Sequence, residues 1–152
     1  MTRLTLGVLD TSAVLAVLND EASAPVFLDA FARCDRLVAS DATLAELFVV
    51  VRARKGAGGV ALMDQILASL GVSACPTDAR QMVHFRRGFE RFGKGIDPAG
   101  LNFGDLFSYA LAIALDVPLY FQGRDFGKTD VANAMTTLGY TQSVSGEPLA
   151  AK

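Results

Sequence analysis

The stretch Leu4-Thr5-Leu6-Gly7-Val8-Leu9-Asp10-Thr11-Ser12-Ala13 decides how this chain folds. An apolar run long enough for one buried strand ends on a carboxylate, and the two hydroxyl residues behind it can cap a helix. In open α/β sheets, ligands bind in the crevice beyond the carboxyl ends of the strands. Asp10 therefore stands where chemistry is usually done, and the question becomes which residues meet it.

Working outward, the same alternation recurs. Ser12 to Leu18 reads as a short helix and about Ala22 to Arg33 as a second. Leu37-Val38-Ala39 is a brief strand ending on Ser40-Asp41, good caps for a helix over roughly Ala42 to Arg54. Gly56, Gly58 and Gly59 break it, and Val60 to Leu70 resumes with Met63, Ile66, Leu67 and Leu70 on one face. After the strand Val72–Cys75, Asp78 caps a helix reaching about Phe92 with two opposed faces. Met82, Phe85, Phe89 and Phe92 form the apolar one, and Arg80, His84, Arg87 and Arg91 the basic one. A glycine-rich loop, Gly93 to Gly100, leads to Phe103–Leu115, so apolar all round that it should be a central buried helix. Val117 to Phe121 is the last clear strand, with a turn or short helix expected between Lys128 and about Leu138. Strands alternating with helices predict an α/β fold with a mainly parallel sheet, one domain over residues 1–142, and a loose tail over residues 143–152.

Composition narrows the function. A chain of 152 residues is one domain's worth, and its net charge of −2 leaves nucleic-acid binding to local patches rather than a global basic field. Two distant cysteines and one histidine exclude a Cys/His zinc site and speak against a disulfide framework. No stretch approaches a membrane span and no signal-peptide pattern opens the chain, so a cytoplasmic location is expected. With 51% hydrophobic residues and a mean hydropathy of +0.34, some apolar surface should be shared with a partner.

The informative residues are acids in unusual company. Glu46 has only Ala42, Thr43, Val49 and Val50 at helical spacing, with no cation to pair with, in a helix expected to be packed rather than exposed. Asp105 heads the most apolar helix, where a first-turn acid also suits the helix dipole. Asp125 follows the last strand, where a turn or cap is the plainer reading, and Asp130 shares that reading. Carboxylates converging on Asp10 would repel one another unless a cation sat among them. Oxygen-only ligands point to Mg²⁺ or Mn²⁺, which suit phosphoryl chemistry by binding the phosphate and activating water.

Val8-Leu9-Asp10-Thr11-Ser12-Ala13, Ala42-Thr43-Leu44-Ala45-Glu46, Leu101-Asn102-Phe103-Gly104-Asp105 and Gly123-Arg124-Asp125-Phe126 resemble, in order, the motifs of PIN-domain ribonucleases, most closely the VapC-type toxins of toxin–antitoxin pairs. Phe92-Gly93-Lys94-Gly95 with Pro98-Ala99, and Thr129-Asp130, extend the likeness over about residues 4–131. The resemblance implies a three-layer α/β/α sandwich and Mg²⁺- or Mn²⁺-dependent endonucleolytic cleavage of RNA. It also implies a homodimer and a cognate antitoxin reaching into the active-site groove. Carried over position by position, Asp10, Glu46, Asp105 and Asp125 form the acidic cluster, with Asp10 and Asp105 as direct metal ligands. Thr11 or Ser12 would position Asp10 or a water, and Asn102 would orient the loop before Asp105. Asp130 stands as a second candidate for the fourth acid. Arg124, and Ile96-Asp97 in the loop, depart from the residues usual in relatives.

Cations to hold an RNA backbone are expected on the Arg80/Arg87/Arg91 face with Lys94, in the Arg52-Ala53-Arg54-Lys55 run, and at Arg124 with Lys128. There are two rival readings. A strand-terminal Asp also suits a haloacid-dehalogenase phosphatase, but Ser12 stands where that family needs its second Asp. A non-catalytic binding module would need no intact set of acids.

Overall fold

The computed structural model describes residues 2–150. Four strands, β1 (Leu4–Leu9), β2 (Cys34–Ser40), β3 (Ser73–Cys75) and β4 (Leu119–Tyr120), form one parallel sheet in the order β3-β2-β1-β4. Register is set by pairs such as Val8 with Val38 and with Leu119. Successive side chains point to opposite faces of a strand, so each strand feeds two cores. Leu9, Leu37, Ala39 and Tyr120 pack beneath α1 (Thr11–Leu18), α2 (Ala24–Phe31) and α3 (Asp41–Ser69). Val8, Val38, Leu119 and Phe121 pack beneath α5 (Phe103–Leu115), which α4 (Ala79–Phe92) covers. The result is the expected three-layer α/β/α sandwich.

Local chemistry explains the element ends. Asp10, Ser40, Asp78 and Asn102 each cap the helix that follows, accepting from the backbone N–H of Ser12, Ala42, Gln81 and Asp105 respectively. The glycine break in α3 is confined to Gly56, whose φ of 69° and ψ of −164° kink the helix, while Gly58 and Gly59 stay helical. Two expectations about helix faces are corrected. On α4 the side turned to α5 carries Gln81, Phe85, Gly88 and Phe92, one position round from the predicted stripe; Met82 and Phe89 are exposed. Gly88 is chosen there because a Cβ would overlap the Tyr109 ring. On α3, Thr43, Leu47 and Val51 face the core, so Glu46 is exposed rather than inside a packed helix, together with Phe48 and Val49.

Beyond β4 come a 3₁₀ turn (Phe126–Lys128), α6 (Ala134–Thr137) and an antiparallel hairpin of β5 (Thr141–Gln142) and β6 (Pro148–Leu149). The stretch expected as a loose tail thus holds the second half of this hairpin. The Gly123 N–H donates to the Gly146 carbonyl at 3.1 Å, and Pro148 is buried. Residues 151–152 of that tail lie outside the described residues. Among the described residues, no helix is long and apolar enough to cross a membrane.

Candidate active site

Every strand of the parallel sheet ends at the same edge, and the proposed acids are arranged around it. Asp10, 4% exposed, is the anchored one. Its Oδ2 accepts from the backbone N–H and hydroxyl of Ser12, at 3.0 and 2.7 Å. Its Oδ1 accepts from the Ser108 hydroxyl at 2.7 Å. A hydroxyl has one proton, so with Ser108 donating to Asp10, Thr43 Oγ1 must donate to Ser108 Oγ across their 3.1 Å contact. Thr43 and Ser108 are fully within the core and are residues that sequence reasoning missed. Their only sequence signal is position, since each lies one helical turn from a proposed acid.

The two hydroxyls behind Asp10 divide the labour. Ser12 holds Asp10 and also accepts from the Gln122 backbone N–H at 3.0 Å, tying β1 to the end of β4. Thr11 instead donates to Glu46 Oε1 at 2.9 Å, drawing the exposed Glu46 carboxylate inward. The Glu46 carboxylate lies so close to Gly104 that a Cβ there would overlap Oε2. Asp105 and Asn102 form a reciprocal capping box, the Asp105 N–H donating to Asn102 Oδ1 at 2.8 Å and the Asn102 N–H to Asp105 Oδ2 at 3.1 Å. The first-turn role and the cluster role of Asp105 therefore coexist.

Asp105 feels the charge of the other three acids. The Asp105 carboxyl is pushed up to about 7, by burial first and then by the negative charge of Asp10, against the Asn102 hydrogen bond, with Asp125 and Glu46 adding to the rise. Asp125 is exposed at the start of the 3₁₀ turn. Asp130 is turned to a structural task, accepting from the Tyr109 hydroxyl at 2.6 Å and pairing with Arg91 at 3.2 Å. That contact pushes the buried Tyr109 phenol far above its ordinary range, after the larger effect of burial. Among the described residues the only ion pairs are Arg3–Asp35 and Arg91–Asp130, so none of the four acids has a cationic partner.

Such a donor set fits a hard divalent cation. Among the described residues no three His, Cys, Asp or Glu side chains form a closed cage. Mg²⁺ does not require one, since it keeps several waters and takes one or two carboxylates. Of the expected substrate cations, Arg87, Lys94 and Arg124 are exposed and unpaired among the described residues, whereas Arg91 is engaged by Asp130.

An acid-lined crevice at the carboxyl edge of a parallel sheet stands where α/β proteins bind their ligands. The PIN domain family model matches residues 7–132. The chain is 41% identical over 125 residues to the Ribonuclease VapC of Mycolicibacterium smegmatis, covering 82% of this chain and 97% of that one. It therefore belongs to the PIN-domain family, among the VapC ribonucleases. The fold is that of solved relatives. Mycobacterium tuberculosis VapC20, a toxin that cleaves the sarcin–ricin loop, superposes with a TM-score of 0.68 at 18% identity, over 83% of this chain and 96% of that one. The VapBC2 complex of Rickettsia felis, bound to promoter DNA, gives 0.66 at 19% identity, over 85% and 96%.

Proposed function

We propose that this protein is a Mg²⁺- or Mn²⁺-dependent endoribonuclease, the toxin of a toxin–antitoxin pair, acting on RNA in the cytoplasm. The observation that carries the reading is the unpaired acid cluster, Asp10, Glu46, Asp105 and Asp125, in a chain so similar to a VapC ribonuclease. A divalent ion held by Asp10 and Asp105 would polarise the scissile phosphate and lower the pKa of water. The chain's own part is positioning. Ser12 and Ser108 fix both oxygens of Asp10, Asn102 fixes Asp105, and Thr11 holds Glu46 at the rim. The crowding of acids that raises the Asp105 carboxyl to about 7 would be relieved by a cation held among them. Arg124, Lys94 and Arg87 would grip the RNA backbone. The single histidine, His84, is half-buried on α4, so a pair of histidines for metal-free cleavage is not available.

Two partners belong to the proposal. A second copy would cover the apolar face shared by α3 and α5, where Val49 and Phe103 are 62% and 73% exposed around a cleft of about 400 Å³. A cognate antitoxin would bind over the groove, in keeping with the toxin–antitoxin complexes whose fold this chain shares. Purified protein should cut cellular RNA with Mg²⁺ or Mn²⁺, stop in EDTA, and lose cleavage on Asp105→Asn while still folding cooperatively. Folded protein that cuts no RNA under these conditions would favour a non-catalytic binding module.

A further inference from the structure

Beside the acid cluster lies a second cleft, of about 320 Å³, between α1, the end of β4 and the turn of the C-terminal hairpin. Its wall starts at Ser12, the residue that holds Asp10, and continues through Asn19, Gln122 and Arg54 to Ser145 and Glu147. Unlike the apolar cleft between α3 and α5, it is rich in hydrogen-bonding groups. Arg54 is exposed and has no ion pair among the described residues. The Glu147 carboxylate likewise makes no hydrogen bond or ion pair among the described residues, although its backbone closes the hairpin with Ser143. Glu21, also on the rim, is occupied by the Gln122 side-chain amide at 2.9 Å.

The hairpin is fastened to the site rather than merely near it. Gly146, at φ 82°, sits so tightly on Gly123 that no Cβ fits between them, and Gly123 immediately precedes Arg124 and Asp125. This hairpin falls beyond residues 7–132, the part matched by the family model.

We infer that the cleft formed by α1, Arg54 and the C-terminal hairpin is a nucleobase subsite that selects the RNA sequence next to the scissile bond, an inference that rests on the ribonuclease reading above. Single-stranded RNA is read by splaying a base out of the stack and hydrogen-bonding its edges. A carboxylate accepts from base amino groups, whereas it would repel a bare phosphate. Glu147 is therefore the base-reading group, assisted by Asn19 and Ser145. Arg54 takes the phosphate linking that nucleotide to the one at the acid cluster.

The test uses the full-length protein and single-stranded RNA of randomised sequence, with the cleavage ends sequenced and KM and kcat measured at several salt concentrations. Arg54→Ala should raise KM about tenfold with a much smaller change in kcat, and lower the salt slope of binding by about one. Glu147→Ala should flatten the base preference at one position beside the cut by about tenfold. Both residues are exposed, so melting curves should match the wild type. Wild-type cleavage with unchanged KM, salt slope and base preference in both folded variants would overturn the subsite alone. A wild type that neither cuts nor binds the RNA would overturn the ribonuclease reading and this inference with it.

Discussion

Replacing Asp105 by Asn should stabilise the metal-free protein while abolishing its cleavage of RNA. Burial and the charges of Asp10, Asp125 and Glu46 raise the Asp105 carboxyl from 3.8 to about 7. A raised folded-state pKa means that the folded form keeps its proton longer than the unfolded chain. The fold is thus unpenalised below about pH 4, loses stability as pH climbs through the interval to about 7, and is flat above it. About three pH units at about 1.4 kcal/mol each set a ceiling of about 4 kcal/mol. Asp105 is only partly enclosed, and water on its open side brings the expected cost to about 2 kcal/mol. Asn carries no charge and keeps a carbonyl oxygen to accept from the Asn102 N–H, so the capping box survives.

The assay is urea unfolding in EDTA. Asp105→Asn should exceed the wild type by about 2 kcal/mol near pH 8 and match it near pH 4. Adding Mg²⁺ should then raise the wild-type midpoint and leave the variant nearly unmoved, since a ligand stabilises only the state that binds it. A gain that is the same at both pH values would refute the argument, because it would come from packing or helix propensity rather than from charge.

Other perturbations probe the supports of the cluster. Ser108→Ala removes the donor to Asp10 and strands the Thr43 hydroxyl in the core, which should cost about 1–3 kcal/mol in denaturant titrations and lower kcat. Thr43→Val combined with Ser108→Ala should cost clearly less than the sum of the two, since the stranded donor is gone. Gly104→Ala pushes its Cβ into the Glu46 carboxylate. Glu46 is a flexible, exposed side chain, so thermal stability should fall by under about 1 kcal/mol while cleavage drops sharply. Asp125→Asn should reduce cleavage, whereas Asp130→Asn should retain it and lose about 1 kcal/mol, the worth of its contacts to Tyr109 and Arg91.

What the sequence made legible was whatever local chemistry determines. An apolar run closed by Asp10, and an acid placed in the first turn of the apolar helix at Asp105, are complete within a few positions, and the structure realises both. Ser108 and Thr43 were not legible, because a hydroxyl in an apolar helix looks like filler until the strand across from it is known to end on a carboxylate. The C-terminal hairpin escaped for another reason. Strands of two residues carry no periodicity, and their pairing is decided by Gly146 meeting Gly123.

The faces of α3 and α4 show the deeper limit of pattern reading. Periodicity locates an apolar face but not what covers it. On α4 the stripe and the buried side differ by one position, because a small Gly88 lets the helix settle closely on Tyr109 and leaves Met82 and Phe89 outside. On α3 the apolar neighbours of Glu46 suggested a buried acid, whereas Phe48 and Val49 are themselves at the surface. The mean hydropathy of +0.34 is thus not all core. Part of it lies exposed on α3 and α5 beside Glu46, so the second copy proposed above to cover this face would also close one side of the crevice. On that proposal assembly and activity would share a wall: Phe103→Asp should weaken self-association and alter cleavage together, whereas a face used for assembly alone would let the two effects separate.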